Sequence, residues 1–286
     1  MKQFRGHVFL AAVFCALTLL TLTAATLAWF TNNTQVGTSR ATGRTSTEDV
    51  RLEISSEGGS AFSGSQEADI TQVNETELTY LMPVSTADLQ TFVQCPATVD
   101  GYAVSFTAVE EEKNYYHGRV YLRAVSEGAD DGATMSLYFD ESEEAGGALA
   151  AREEQESLLL NAARLGLVFD EDAETAVIFR LSEEQNAEQD RLMNTVLDGQ
   201  ELQEGSVLAW DGSAARAAED PAVLIDDYIV TQDGGGAPSE PLFKMELGRV
   251  YQVDVYFYLE GCDPDCTEAI SFDGGELHLA FYGVLS

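Results

Sequence analysis

The segment "YQVDVYFYLEG" (251–261) sets Val253, Val255 and Phe257 on one face of an extended chain. Successive side chains of a strand point to opposite faces, so such a period of two fits a half-buried strand and conflicts with the 3.6-residue period of a helix. The pattern recurs. "VRLEISSEGG" alternates Val50, Leu52 and Ile54 with charged residues, and "GRVYLRAV" (118–125) alternates Val120, Leu122 and Ala124. Further strand-like runs cover 102–109, 134–140, 164–170, 175–181 and 275–284, with Gly- and Asp-rich connections such as "EGADDGA" and "FDGGE" between them. Many short alternating strands joined by tight turns predict a mainly β chain folded as an antiparallel β-sandwich. Hydrophobic residues make up 45% of the 286, enough to fill such a core.

Two stretches break the pattern. "EEAGGALAAREEQESLLLNAA" (143–163) is rich in Ala, Glu and Leu, and 182–199 opens on a Ser182 to Gln185 capping-box pattern and stops at Gly199. Both predict helical insertions between strands. "DGSAARAAEDPA" (211–222) and "TQDGGGAPSEPL" (231–242) read as loops. No Pro-rich linker or repeat divides the chain, so residues 50–286 read as one domain.

The N-terminus sets the compartment. Lys2 and Arg5 precede an uncharged apolar run from Val8 to Phe30, the pattern of a secretory signal or an uncleaved membrane-anchor helix. Small residues at Thr26 and Ala28 predict a cut between Ala28 and Trp29, making 1–28 the signal or anchor, and Thr23 with Ala25 offers an earlier cut. The polar stretch that follows, within 29–49, reads as a flexible arm. The expected location is the cell surface or beyond it, with membrane contact only through the N-terminal segment. The formal charge is −34, and removing Lys2 and Arg5 with the signal takes it two units further, to −36. A chain this acidic repels nucleic acid and other polyanions.

Residues that could carry chemistry are few. A chain cut at Ala28 retains His117 and His278 alone, each set in or beside a strand, with no Gly-x-Ser-x-Gly and no His-Glu-x-x-His pattern. The reading is therefore no enzyme, no catalytic residue and no organic cofactor. Clustered acids at Asp170 and Asp172, and at Asp263 and Asp265, supply oxygen ligands that suit structural calcium, though neither follows an EF-hand spacing. Cys262 and Cys266 bracket an Asp-Pro-Asp turn. They lack the second ligand pair of a zinc site and the Cys-x-x-Cys helix start of a redox motif, which leaves a disulfide in an exported chain. Two pairings stay open. Cys262 with Cys266 would pin a short turn, and Cys95 with Cys266 would close a long loop worth about 4–5 kcal/mol in chain entropy. The local bridge is the favoured one.

Three segments carry a family resemblance. "TLAWFTNNTQV" (26–36) resembles the signal junction of Firmicutes exported proteins of the TasA and camelysin type. "YLMPVSTADLQTF" (80–92) and "LEGCDPDCTEAISFDGGELHLAF" (259–281) are similar to segments of related clostridial surface proteins, the latter through Leu259, Glu260, Gly261, Asp263, Pro264 and Cys266. The resemblance implies a jelly-roll-like sandwich, export with trimming by a dedicated signal peptidase, and service as a surface or biofilm-matrix fibre subunit without catalysis. It also permits a strictly anaerobic setting in which all three cysteines stay reduced. This chain departs from the pattern in its length, its helical insertions and Cys262. The expected partners are copies of itself or cell-envelope components, with Trp29 and Phe30 of the arm filling a neighbour's apolar pocket. The alternative is a membrane-anchored monomeric binding module for a glycan or host protein.

Overall fold

A computed structural model of the chain describes residues 39–46, 50–58, 62–74, 81–99, 102–109, 114–126, 128, 133–141, 159–182, 196–197, 200–202, 205–230, 238, 240–266 and 277–285. The N-terminal apolar run, the Ala28–Trp29 junction and Phe30 lie outside the described residues, as do most of both helical stretches and of the 231–242 loop. No helix among the described residues is long and apolar enough to cross a membrane.

Two sheets dominate, with strands numbered here in chain order. The smaller has the order β17 (Ile229–Val230), β9 (Thr134–Asp140), β20 (His278–Leu285), β1 (Arg40–Thr45) and β3 (Glu67–Asp69), with β18 (Phe243–Glu246) also paired to β9. The larger has the order β16 (Val223–Leu224), β11 (Val177–Arg180), β10 (Ala163–Phe169), β19 (Val250–Glu260), β8 (Tyr116–Ser126) and β2 (Val50–Ser55). Two short strands join it, β4 (Thr71–Gln72) on β8 and β5 (Pro83–Val84) on β19.

The alternating residues that predicted strands are the ones that form the core. Leu52, Leu122, Val253 and Val255 of the larger sheet share one buried cluster with Leu137, Phe139 and Phe281 of the smaller. Phe139 packs edge-on against Phe179 at 5.2 Å, joining β9 of one sheet to β11 of the other. Apolar burial of this kind contributes about 25 cal/mol per Å² and is the main attraction between the layers.

Strand direction departs from the sequence reading. The long ladders β8–β19, β10–β19, β2–β8 and β9–β20 are antiparallel, but β1–β20, β9–β17, β5–β19 and β11–β16 are parallel, so the sheets are mixed rather than wholly antiparallel. Alternation has the same period in both arrangements and cannot reveal direction.

Other differences have local causes. Residues 40–45, placed by sequence in the flexible arm, form β1, paired along six residues with β20. The strand escaped notice because its inward residues are small: a Cβ on Gly43 would lie 2.8 Å from a Leu52 methyl, and Ala41 is fully buried. Ala215–Glu219, read as loop, is β15 and pairs with β14 (Ser206–Trp210). The expected helix over 182–199 gives way at its end to strand: Val196–Leu197 (β12) pairs with Gln200–Glu201 (β13). Leu159–Ala162, inside the first helical stretch, is a single helical turn, α1. The remaining hairpin joins β6 (Val93–Val99) to β7 (Tyr102–Ala108). These hairpins meet around a separate small cluster that includes Val93, Leu202, Leu208 and Ala215.

Candidate functional site

The outer face of the larger sheet carries a polar and aromatic constellation built by β8 and β19. Their register sets His117 opposite Tyr256 and Arg119 opposite Asp254. Asp254 is 3% exposed, and its neighbours Val253 and Val255 point into the core. Arg119 Nε donates to Asp254 Oδ1 at 2.8 Å, and Gln252 Nε2 donates to Oδ2 at 2.7 Å. His117 Nε2 lies 3.1 Å from Oδ1; a carboxylate only accepts, so Nε2 carries the proton. Burial would raise the Asp254 pKa, but the hydrogen bonds from His117, Arg119 and Gln252 hold it below its ordinary value. Asp254 is thus a fixed anion. His117 is fixed as well: its ring stacks on Tyr256 at 4.4 Å and 14°, and its backbone N–H donates to Asn74 Oδ1 at 2.8 Å.

These residues floor a cleft of about 350 Å³, open to solvent. One wall is the loop Ser85–Phe92. There Thr86 Oγ1 accepts from Leu89 N, and Asp88 Oδ1 accepts from the backbone N–H groups of Gln90 and Thr91. Leu89 lies over Gly166 of β10, where a Cβ would come within 2.5 Å of a Leu89 methyl; glycine is required for the loop to dock. Phe92 stacks on Tyr115 at 3.8 Å behind it. The opposite wall is the turn after β10, in which Asp172 N donates to Phe169 O and both central residues, Asp170 and Glu171, have positive φ. Leu89, Asp170 and Glu171 are the non-glycine residues with positive φ among the described residues, and all three stand in or beside these two walls. Left-handed backbone at such residues costs about 1–3 kcal/mol each and gathers at functional sites.

The aspartates offered for calcium divide between two ends of the β10–β19 ladder. At one end Asp170 accepts from Gln252 N at 3.0 Å and from Arg249 Nη2 at 2.6 Å, while Asp172 caps the short turn at Glu174. At the other, Asp263 Oδ2 accepts from Arg164 Nη2 at 2.6 Å, and Asp263 Oδ1 accepts from the backbone N–H of buried Asp265. Among the described residues no group of three His, Cys, Asp or Glu side chains comes together to hold a metal. Asp170 and Asp263 are bonded to guanidinium groups instead, which is not the donor set of a calcium site.

The turn that follows β19 contains another buried polar group. Arg164 is 3% exposed and faces Asp263 and, at 3.5 Å, Asp220. Glu260, 1% exposed, accepts from Cys262 N at 2.9 Å. Cys262 packs with Val93 and Leu208 of the hairpin cluster, whereas Cys266 is buried in the main core. Cys95 belongs to β6, and its side chain is outside the described residues. His278, on β20, lies 3.4 Å from Thr42 of β1 and takes no part in either polar group.

Sequence reasoning named none of Arg119, Asp254, Tyr256 and Leu89 as site residues. The available signal was Asp254 between two valines, an acid in the middle of a strongly apolar strand; its partner Arg119 lies 135 residues away and no local pattern joins them. Comparison with known proteins gives no match, whether to a family model, a curated protein or a solved structure.

Proposed function

We propose that the chain is a non-catalytic, exported surface subunit with a jelly-roll-like sandwich, which associates with its own copies through its N-terminal strand, as the TasA and camelysin resemblance implies. The observation that carries the reading is the placement of β1. It lies parallel to β20 over six residues and meets β3 over only three on its other side. Its inward residues, Ala41 and Gly43, bury little side chain. Ladder hydrogen bonds and one bidentate pair, Arg44 with Asp140 at 2.7 and 2.8 Å, make up most of its hold. The same strand of a neighbouring copy offers the identical set of bonds, so exchange loses none of them. Addition of this type is heterologous and leaves an open end, which yields filaments.

The test uses the β1–β20 register. Arg40 and His278 are ladder partners, so an Arg40→Cys, His278→Cys variant, assembled under acidic conditions and then oxidised, is expected to link neighbouring chains. Filaments whose engineered bond stays within single chains would overturn strand exchange, and a protein that never assembles would overturn the subunit reading. A second reading, the monomeric surface binding module, is favoured by the cleft on the larger sheet, which lies away from β1 and is available to a monomer.

A further inference from the structure

We infer that the cleft between the Ser85–Phe92 loop and the Asp170–Glu171 turn is a binding site for a neutral saccharide. The inference rests on the binding-module reading of this cleft and is independent of assembly. Its first support is shape. A cavity of about 350 Å³ falls in the range of roughly 300–1,000 Å³ that small-molecule sites occupy. It is framed by backbone held in costly conformations on both sides, and glycine at 166 lets one wall close on the sheet.

Charge then selects the ligand class. Asp88, Glu171 and Asp254 line the cleft against Arg119 as the one fixed cation, within a chain of formal charge −34. An anionic ligand is repelled both locally and at long range. A cationic ligand is attracted by the same charges, but Asp254, the buried anion of the floor, already receives Arg119, His117 and Gln252, which leaves such a ligand only the solvent-screened rim carboxylates of Asp88 and Glu171. A neutral polyol meets neither obstacle. Its hydroxyls donate to the exposed rim carboxylates of Asp88 and Glu171 and exchange both kinds of hydrogen bond with the Gln90 amide. Its apolar C–H face has a matching surface in Tyr256, a half-buried ring backed on its far side by stacked His117. Few polar groups at fixed positions beside an aromatic wall are what a small-molecule site needs for orientation and specificity. The bonds that fix Asp254 and His117 give these groups one geometry before ligand arrives, which lowers the ordering cost of binding.

The experiment is saturation-transfer NMR with calorimetry on the folded protein. The probes are cellobiose, maltose and N,N′-diacetylchitobiose as neutral disaccharides, glucuronate as the anion, and the peptide Gly-Lys-Gly as the cation. At least one neutral disaccharide is expected to bind, with glucuronate and the peptide silent. Tyr256→Ala should weaken that binding about tenfold, the loss of one aromatic contact. Because Tyr256 also packs against Phe92, Gln90→Ala supplies a surface variant without a packing role, expected to weaken binding roughly three- to tenfold. Lys244→Ala, on β18 of the other sheet, should leave it unchanged. Binding of the peptide alone would overturn the saccharide assignment while keeping the cleft as a binding site. Silence from every probe, or disaccharide binding that Tyr256→Ala and Gln90→Ala leave intact, would overturn both.

Discussion

Glu260 closes β19 with its carboxyl sealed from solvent. Burial pushes its pKa up to about 8, against the opposing attraction of Arg164 and the hydrogen bonds from Cys262 N and Ser85. The fold therefore favours the protonated acid. Its contribution to stability is complete below the ordinary value of 4.5 and is lost as pH rises through about 8. The unfolding free energy from urea titrations should accordingly fall between about pH 5 and pH 8.5, by an amount on the order of a few kcal/mol, and Glu260→Gln should flatten that slope. An unfolding free energy independent of pH in the wild-type protein would contradict the assignment. Arg164 is the counterpart. Burial alone would lower its pKa, but the carboxylates of Asp263 and Asp220, joined by Glu260 when it ionises, raise it, so it stays charged throughout. A third residue tests the cleft wall: Glu171→Gly, at φ 56, relieves left-handed strain and should stabilise the protein by about 1 kcal/mol, read from the melting curve.

At the scale of elements, β1 decides what a truncation does. Removing 29–49 takes away the six-residue ladder to β20 and leaves Asp140, 1% exposed, without its bidentate guanidinium partner. Arg44 is itself half-exposed, and taking hydrogen-bond donors from a buried carboxylate costs about 1–3 kcal/mol. A 29–49 deletion is therefore expected to melt well below a 29–38 deletion, which spares β1, and equal melting would show that β1 adds nothing to the fold. Gly43→Val should act in the same direction, by about 1–3 kcal/mol, through collision with Leu52. The same strand marks the boundary of what sequence could disclose. Strands with large alternating residues were legible nearly to the residue, as with 134–140 and 251–261 against β9 and β19. A strand whose inner face is Ala41 and Gly43 was not, because small residues leave no apolar period. The Ala215–Glu219 strand was hidden for a related reason, being mostly exposed and composed of Ala, Arg and Glu. Of the candidate site, His117 and Asp170 stood out as single residues and the odd acid in "VDV" was there to be seen; Leu89 over Gly166 and Arg119 on Asp254 arise from pairing across long stretches of chain, which local pattern cannot encode.

Over the whole molecule, charge opposes association and the fold tolerates its removal. A formal charge of −34, or −36 once Lys2 and Arg5 are lost, makes copies repel one another in dilute buffer. At about 0.1 M salt the screening length falls to about 10 Å, and near pH 4.5 Asp and Glu begin to protonate from ordinary values of about 3.9 and 4.3. Repulsion then recedes while the short-range bonds of β1 remain. Two of the buried carboxyls, Glu260 and Asp254, keep their contribution in acid of this strength. Glu260 is at its most stabilising when protonated, and Asp254, held below its ordinary 3.8, loses its contribution only as pH falls further. The expected outcome is monomer at pH 7.5 and low salt by light scattering, with filaments in electron micrographs at about pH 4.5 or on addition of divalent cation at neutral pH. Circular dichroism taken alongside should keep its β signature throughout, which separates ordered assembly from acid unfolding and collapse. Amorphous precipitate with loss of that signature would defeat the charge argument, and a monomer that persists under every one of these conditions would leave the cleft, and not β1, as the functional feature of the molecule.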